Sequence, residues 1–321
     1  MPRRSPLLLA ACLALFATAP FAQDYPRKAV TMVVAAAPGG GLDLISRSAA
    51  RALTEKRKQA VVVDNKGGAG GIIGTDIGAK AAPDGYTLLT VSISHSTNPV
   101  LIKKLPYDTL KDFTPISLFA KLPVVLTVAK NLPVNSVAEL VAHARANPGK
   151  LNCASSGTGT SQHLSCEMFK NMAKVSIQHV PYKAIAGAQA DVIGGRIEVM
   201  FDQFSTAIQN GKAGTVKALA ITTQARSAQA PDLPTMSESG VPGYEAVTWF
   251  AMFGPAGLPK ELATKIAADL ARGMAKPENK DRLAAQNFDL LFTKPDDLDT
   301  FLKAEMSKWG RIIKEAGIQA D

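Results

Sequence analysis

"AAAPGGGLDLISRSA", residues 35–49, sets three consecutive glycines and an aspartate between two apolar patterns. Upstream, "AVTMVVAAA" (29–37) reads as a buried strand; downstream, Leu42, Ile45, Ala49 and Leu53 fall on one helical face. A strand thus ends and a helix begins across backbone that carries almost no side-chain cover. A helix N-terminus has unpaired N–H groups and a partial positive charge, which makes it a ready anion site. Two readings are open for this stretch: a tight turn with Asp43 as helix cap, or a set of donors that meets a ligand.

The alternation continues along the chain. "AVVVDN" (60–65) is a second strand, followed by the glycine-rich helix start "KGGAGGIIGTDIGAKAAPDG" (66–85). "YTLLTVSIS" (86–94) and "PVVLTVAK" (123–130) read as further strands. Val137 to Ala146 reads as a helix with Ser136 at its N-cap and "NPGK" at its end. "LNCASS" (151–156) then opens a second strand–loop–helix unit, in which "GTGTSQHLSCEMFKNMAK" (157–174) repeats the Gly/Thr/Ser-rich entry. "VSIQHVPY", "RIEVMFD" and "VKALAITT" supply more strands, with a short helix before Gly194-Gly195. Such alternation in both halves predicts an α/β fold with mostly parallel sheets. Ligands of open α/β sheets sit at the carboxyl ends of strands. If the halves are separate domains, both glycine loops face one cleft, and a dicarboxylate can be held at each end by backbone N–H groups. That is the geometry of two-domain proteins that close around a solute.

The chain has 321 residues, 46% apolar and 20% charged, which suits one or two globular domains. Arg3 and Arg4 precede an apolar run, Leu7 to Ala19, and Ala22 precedes polar sequence. This pattern predicts an export signal, residues 1–22, too short for a permanent membrane anchor. "LAAC" (Leu9–Cys12) imitates a lipobox but leaves a stubby apolar region. Cleavage after Ala22 removes two of the charges that make the net +9. The remaining basic residues are scattered, with no stripe interleaved with aromatics, so nucleic acid is not an expected partner. A modest positive field favours the arrival of small anions. Cys153 and Cys166 read as buried free thiols, although export permits a disulfide. The four histidines show no paired ligand spacing, so no metal is expected.

The stretches "APGGGLD", "VVVDNKGGAGGIIG", "PDGYTLL", "NPVLIKKLPYD", "NPGKLN", "SSGTGTSQHL", "HVPYK", "IGGRIEVMFD", "PTMSESGVPGYE" and "GPAGLP" occur in this order. Together, from about Tyr25 onward, they resemble the Bug-type solute-binding proteins of tripartite tricarboxylate transporters, the TctC-like family. The resemblance implies a two-domain periplasmic binding protein, a Venus flytrap of type II topology, with each domain a mostly parallel sheet flanked by helices. It implies one domain from 24–130 plus 225–321 and a second from 131–224. It also implies capture of a small carboxylate (di- or tricarboxylate, amino acid or aromatic) and delivery to a large and a small integral membrane subunit. A monomer with no cofactor and no catalytic residue is expected.

Carried over residue by residue, Pro38, Gly39, Gly40, Gly41, Leu42 and Asp43 match the first carboxylate loop of that family. Leu42 stands where a hydroxyl or amide residue is common, and its side chain faces either the cleft or the core. Ser155, Gly157, Thr158, Gly159, Thr160, Ser161 and His163 match the second loop, with hydroxyls and bare N–H groups as donors. Ser94 at the end of the third strand, Lys183 and Asp202 complete the candidate set. "YKAIAGAQAD" (182–191) departs from the family's proline-containing pattern after Lys183. Several of these residues also have plain structural readings: Asp43 and Asp202 as caps, His163 as a support of its own loop, Lys183 as a solvated rim residue. A carboxylate at Asp43 would repel a bound one.

The rival class is an exported α/β enzyme or nucleotide-binding protein using "GGAGGIIG" (67–74), which imitates a dinucleotide fingerprint after a strand. A true fingerprint asks for an acid at the end of the next strand. "TLLTVSIS" ends in serine, followed by His95. No GxSxG elbow is present.

Overall fold

Burial in the computed structural model follows the alternating pattern. The structure describes residues 25–315 and 317–318; the expected export segment, residues 1–22, lies outside them. The first lobe begins β1 (Val30–Val34), α1 (Gly41–Arg57), β2 (Val61–Asn65), a 3₁₀ turn at Ala69–Gly71, α2 (Ile72–Ala79), β3 (Thr87–Ser92) and α3 (Ser94–Leu101). Strand β4 (Phe113–Ala129) runs out of it. The second lobe holds α4 (Val137–Ala146), β5 (Leu151–Ser155), α5 (Ser161–Ala173), β6 (Ile177–Pro181), α6 (Ile185–Ile193), β7 (Val199–Gln203), α7 (Phe204–Lys212) and β8 (Val216–Ile221). The chain returns in β9 (Val247–Pro255), then α8 (Lys260–Met274), α9 (Pro277–Ala284), β10 (Asp289–Leu290) and α10 (Pro295–Glu315).

The strands form one sheet in the order β2-β1-β3-β9-β4-β7-β5-β6, with β8 and β10 also on β4. β1 is parallel to β2 and β3, and β5 is parallel to β6 and β7; β4 and β9 run against their neighbours. β4 joins the lobes because its two ends choose different partners. Residues 113–123 pair with β9, and Val124–Val128 pair with β7. The sequence pattern showed only the second part of this strand. Pro115 and Lys121 break the apolar run, and the ladder absorbs the proline by shifting register between Pro115 and Ser117. Helix α3 was not visible either: "SHSTNPVL" is polar and contains Pro99, yet its first five residues and Leu101 are buried. Ser96 Oγ and Thr97 Oγ1 donate to the carbonyls of Ile93 and Ser94, satisfying hydroxyls that burial would otherwise strand.

Met32, Ile45, Leu53, Phe119 and Met252 anchor one core of the first lobe, and Phe169, Phe201 and Leu126 the main core of the second. Leu42, Ile45, Ala49 and Leu53 are all buried, as the helical spacing of α1 requires. Met236, Val241, Tyr244 and Ala246 pack into the second core, and Tyr244 Oη donates to the Ser165 carbonyl at 2.7 Å. Residues 236–246 therefore sit with the second lobe, whereas the reading from sequence put everything beyond 225 in the first. The segment has little regular structure to reveal its allegiance; side-chain burial decides it. Leu164 of α5 crosses the other way and packs among Ile93, Leu101 and Trp249.

Candidate ligand-binding cleft

The carboxyl ends of β1, β3, β5, β6 and β7 open onto one cavity of about 650 Å³ between the lobes. Six helices start on its wall. Gly40–Leu42 of α1, Gly71 and Ile72 of α2 and Ser94 of α3 line it from the first lobe. Thr160–Gln162 of α5, Ala184 and Ile185 of α6 and Gln203 before α7 line it from the second. None of these six starts carries a side-chain cap hydrogen bond. Helix α4, which begins away from the cavity, has one: Ser136 Oγ accepts from the Glu139 N–H. The wall thus presents backbone donors with partial positive charge. Among the described residues that line it, the one charged side chain is the exposed Lys183. Leu42, Leu122, Val124 and Phe250 make an apolar flank.

The sequence candidates divide into residues on the wall and residues behind it. Pro38, Gly40, Gly41, Leu42, Ser94, Gly157, Thr158, Thr160, Ser161 and Lys183 line the cavity. Gly39 and Asp43 do not. The cap position of α1 is Gly40, and Asp43 turns back from the first turn to accept the Gly39 N–H at 2.9 Å while pairing with Arg47 at 3.0 Å. Burial raises the Asp43 pKa, but the hydrogen bonds from Arg47 and Gly39 outweigh it and hold the carboxyl below its usual range. Leu42 answers to both of its readings: it is 4% exposed, belongs to the first core, and touches the cavity.

Ser155, Gly159 and His163 lie behind the second loop. Ser155 Oγ accepts the Gly157 N–H at 3.1 Å and meets His179 Nε2 at 2.6 Å. His163 Nδ1 accepts the Gly159 N–H at 3.1 Å, and its ring stacks on His179 with centroids 3.8 Å apart. Burial, then the neighbouring His179 and Lys170, lower the His163 pKa to about 3. Glu167 stands 3.7 Å from its Nε2 but is already paired with Lys170 at 2.6 Å, so it recruits no proton to the ring. The imidazole is neutral, as its acceptor role demands. The Gly159 carbonyl accepts from Thr97 Oγ1 at 3.1 Å and Ser94 Oγ at 3.3 Å, tying the second loop to the first lobe. Asp202 is also buried behind the wall, held by Gln189 Nε2 at 2.8 Å and by the Gln203 N–H at 2.7 Å. Burial pushes its pKa up to about 6 against those two bonds. Cys153 and Cys166 are buried and free.

Gly68–Ile72, Asn98, Tyr182, Gln203 and Thr248 line the cavity without having been singled out for this role. The first group is the loop that imitates a nucleotide fingerprint. Its glycines serve close approach across the cleft: Gly70 has φ +63°, and a Cβ there would stand 3.0 Å from the Thr158 carbonyl oxygen. Tyr182 had a signal in "HVPYK", beside Lys183. Gln203 and Phe250 had none, because only pairing of β7 and β9 with β4 brings them here.

A family model described as TctC, tripartite tricarboxylate transporter family receptor, matches residues 45–318. The chain belongs to that family. Among solved structures it resembles the periplasmic binding protein BugD at 35% identity and a TM-score of 0.86, over 92% of this chain and 100% of that one. Rpa4515 of R. palustris, solved with adipate, is 36% identical at a TM-score of 0.88, over 92% and 99% of the two chains. MatC of Rhodopseudomonas palustris, solved with bound malate, is 30% identical at a TM-score of 0.82, over 90% and 100%. The fold is that of the periplasmic binding proteins, and the family is one of solute-binding receptors.

Proposed function

We propose that this protein, exported behind residues 1–22, captures a small carboxylate between its lobes and delivers it to the large and small membrane subunits of a tripartite transporter. One observation carries the reading: six helix N-termini converge on a cavity whose only charged side chain among the described residues is Lys183. Donors without counter-charges suit an anion, and a charged group strengthens each hydrogen bond it accepts to about 1.5–3 kcal/mol. The first carboxylate site is the start of α1, Gly40–Leu42; the second is the start of α5, Thr158–Gln162. The apolar flank at Leu42 and Phe250 faces the hydrocarbon middle of the solute. Adipate and malate in the solved relatives are carboxylates of fitting size.

Closure bends the chain at its two crossings, Pro123–Val124 in β4 and Ala246–Val247 before β9, which pair with one another or with Thr222. These crossings replace residue 225 as the limits of the lobes in this reading. Thr158 and Thr160 separate binding from support. Thr160 Oγ1 already donates to the Gly157 carbonyl at 2.7 Å, whereas Thr158 lines the cavity with no such bond from its hydroxyl to a described residue. The test is calorimetry and thermal shift with succinate, malate, adipate, citrate and nicotinamide nucleotides. A carboxylate raises the melting temperature and a nucleotide does not. Thr158→Val weakens the binding by about tenfold to a hundredfold at unchanged apo stability. A shift with nucleotides alone sinks the reading.

A further inference from the structure

Asp202, one residue before the end of β7, is buried behind the cavity wall, and it is the next residue that lines the cavity. Gln203 lies at the end of β7 in the second lobe, opposite Val124 of β4, and its side chain lines the cavity. Its Nε2 lies 3.6 and 3.7 Å from the points where Cβ atoms on Gly40 and Gly41 would stand. An amide of the second lobe therefore lies against the N-terminus of α1 in the first. Side chains at 40 and 41 would stand in ordinary contact with that amide, and the closer neighbours at 41 are Leu122 and Phe250, at 3.1 and 3.2 Å. The Gln203 side chain makes no hydrogen bond to any described residue, and its backbone N–H is pinned to Asp202 Oδ1.

The geometry points to Gln203 as a specificity-determining residue that binds the α1-end carboxylate from the opposite lobe; this rests on the receptor reading above. Nε2 and the first N–H groups of α1 are all donors, so they have nothing to offer one another. A carboxylate, with two oxygens and about four lone-pair sites, accepts from both at once. The anion then joins the lobes: one oxygen takes the helix N–H groups, and the other takes the Gln203 amide. A neutral amide or ester at that end of the solute forms weaker bonds with the same donors. Asp202 acts through Gln203 as a positioning residue, because it fixes the backbone from which the amide extends, and Gln189 Nε2 fixes Asp202 in turn.

Two substitutions test this on the full mature chain, with succinate, malate, adipate and citrate as probes. Gln203→Met keeps the length and removes the donors; affinity falls about tenfold to a hundredfold while the apo melting temperature holds. Gln203→Glu places a competing carboxylate at the α1 N-terminus. Its affinity at pH 7 falls below that of Gln203→Met, because the new carboxylate repels that of the solute, and the gap between the two variants narrows with added salt. A purely structural residue would not produce that salt-dependent gap. If wild type binds a probe and both variants match it within twofold at pH 7, the inference about Gln203 is overturned and the receptor reading stands. If wild type binds none of the four probes, the receptor reading falls and takes the inference with it.

Discussion

The two glycine loops at the cleft start helices of 17 and 13 residues from opposite lobes, but they are held in different ways. The loop at Pro38–Asp43 is stabilised by charge within its own helix: Asp43 grips the Gly39 N–H and pairs with Arg47 on the outer surface. Among the described residues, no hydrogen bond ties it to the other lobe. The loop at Ser155–His163 is braced by buried Ser155 and the buried, neutral His163, with half-buried His179 against both, and its Gly159 carbonyl is tied to α3 of the first lobe. A charge-held loop tolerates exposure, whereas a loop held by neutral imidazole depends on that imidazole staying unprotonated.

Acid breaks this comparison most strongly. His163 has a pKa of about 3 in the fold, against an ordinary 6.5, so its contribution is full above pH 6.5 and is lost as the pH falls toward 3. Between pH 7 and 4.5 the loss amounts to about 2–3 kcal/mol. His163→Asn keeps an acceptor for the Gly159 N–H and cannot titrate. Denaturant unfolding at the two pH values is expected to show a smaller fall for this variant by that amount. His95 and Asp202 titrate in both proteins and cancel in the difference. An equal fall in both removes His163 from the brace.

The middle effect belongs to the first loop. Asp43→Ala leaves the Gly39 N–H without its acceptor and costs about 1–2 kcal/mol, read as a lower unfolding midpoint at pH 7. Its lowered pKa means that the wild-type contribution persists above the ordinary carboxylate range and fades only as the pH drops through and below it. The two loops should therefore fail at different acidities, the second before the first. The smallest effect is that of the tether. Thr97→Val removes one of two hydroxyls from the Gly159 carbonyl, a change of about 0.5–1.5 kcal/mol. Hydrogen exchange should rise at residues 157–160 and stay unchanged at 39–42; a rise at both loops would mean that they are one unit.

Local chemistry made much of this legible. Ser136 begins α4 where its side chain caps the Glu139 N–H, and the spacing of Leu42, Ile45, Ala49 and Leu53 names the buried face of α1. Both glycine loops could be found because glycine and hydroxyl residues between strand and helix mark open N-termini. Residues whose roles depend on distant partners were not legible. The first half of β4 hides behind Pro115 and Lys121, and α3 has a polar sequence that only burial makes helical. Asp202 and Gln203 are adjacent, and the strand pattern does not say which of them faces the cavity.

Short-range physical chemistry, acting over a turn or a strand, determined the α/β alternation and the two open helix starts from sequence alone, and the ordered blocks carried the resemblance to the family. The tertiary structure decided which of those starts share a cavity, that residues 236–246 join the second core, and that Gln203 meets α1. Those outcomes depend on how β4 divides its ladder between β9 and β7. A pairing choice between strands some 75 to 140 residues apart is set by whole-core packing, which no local pattern encodes.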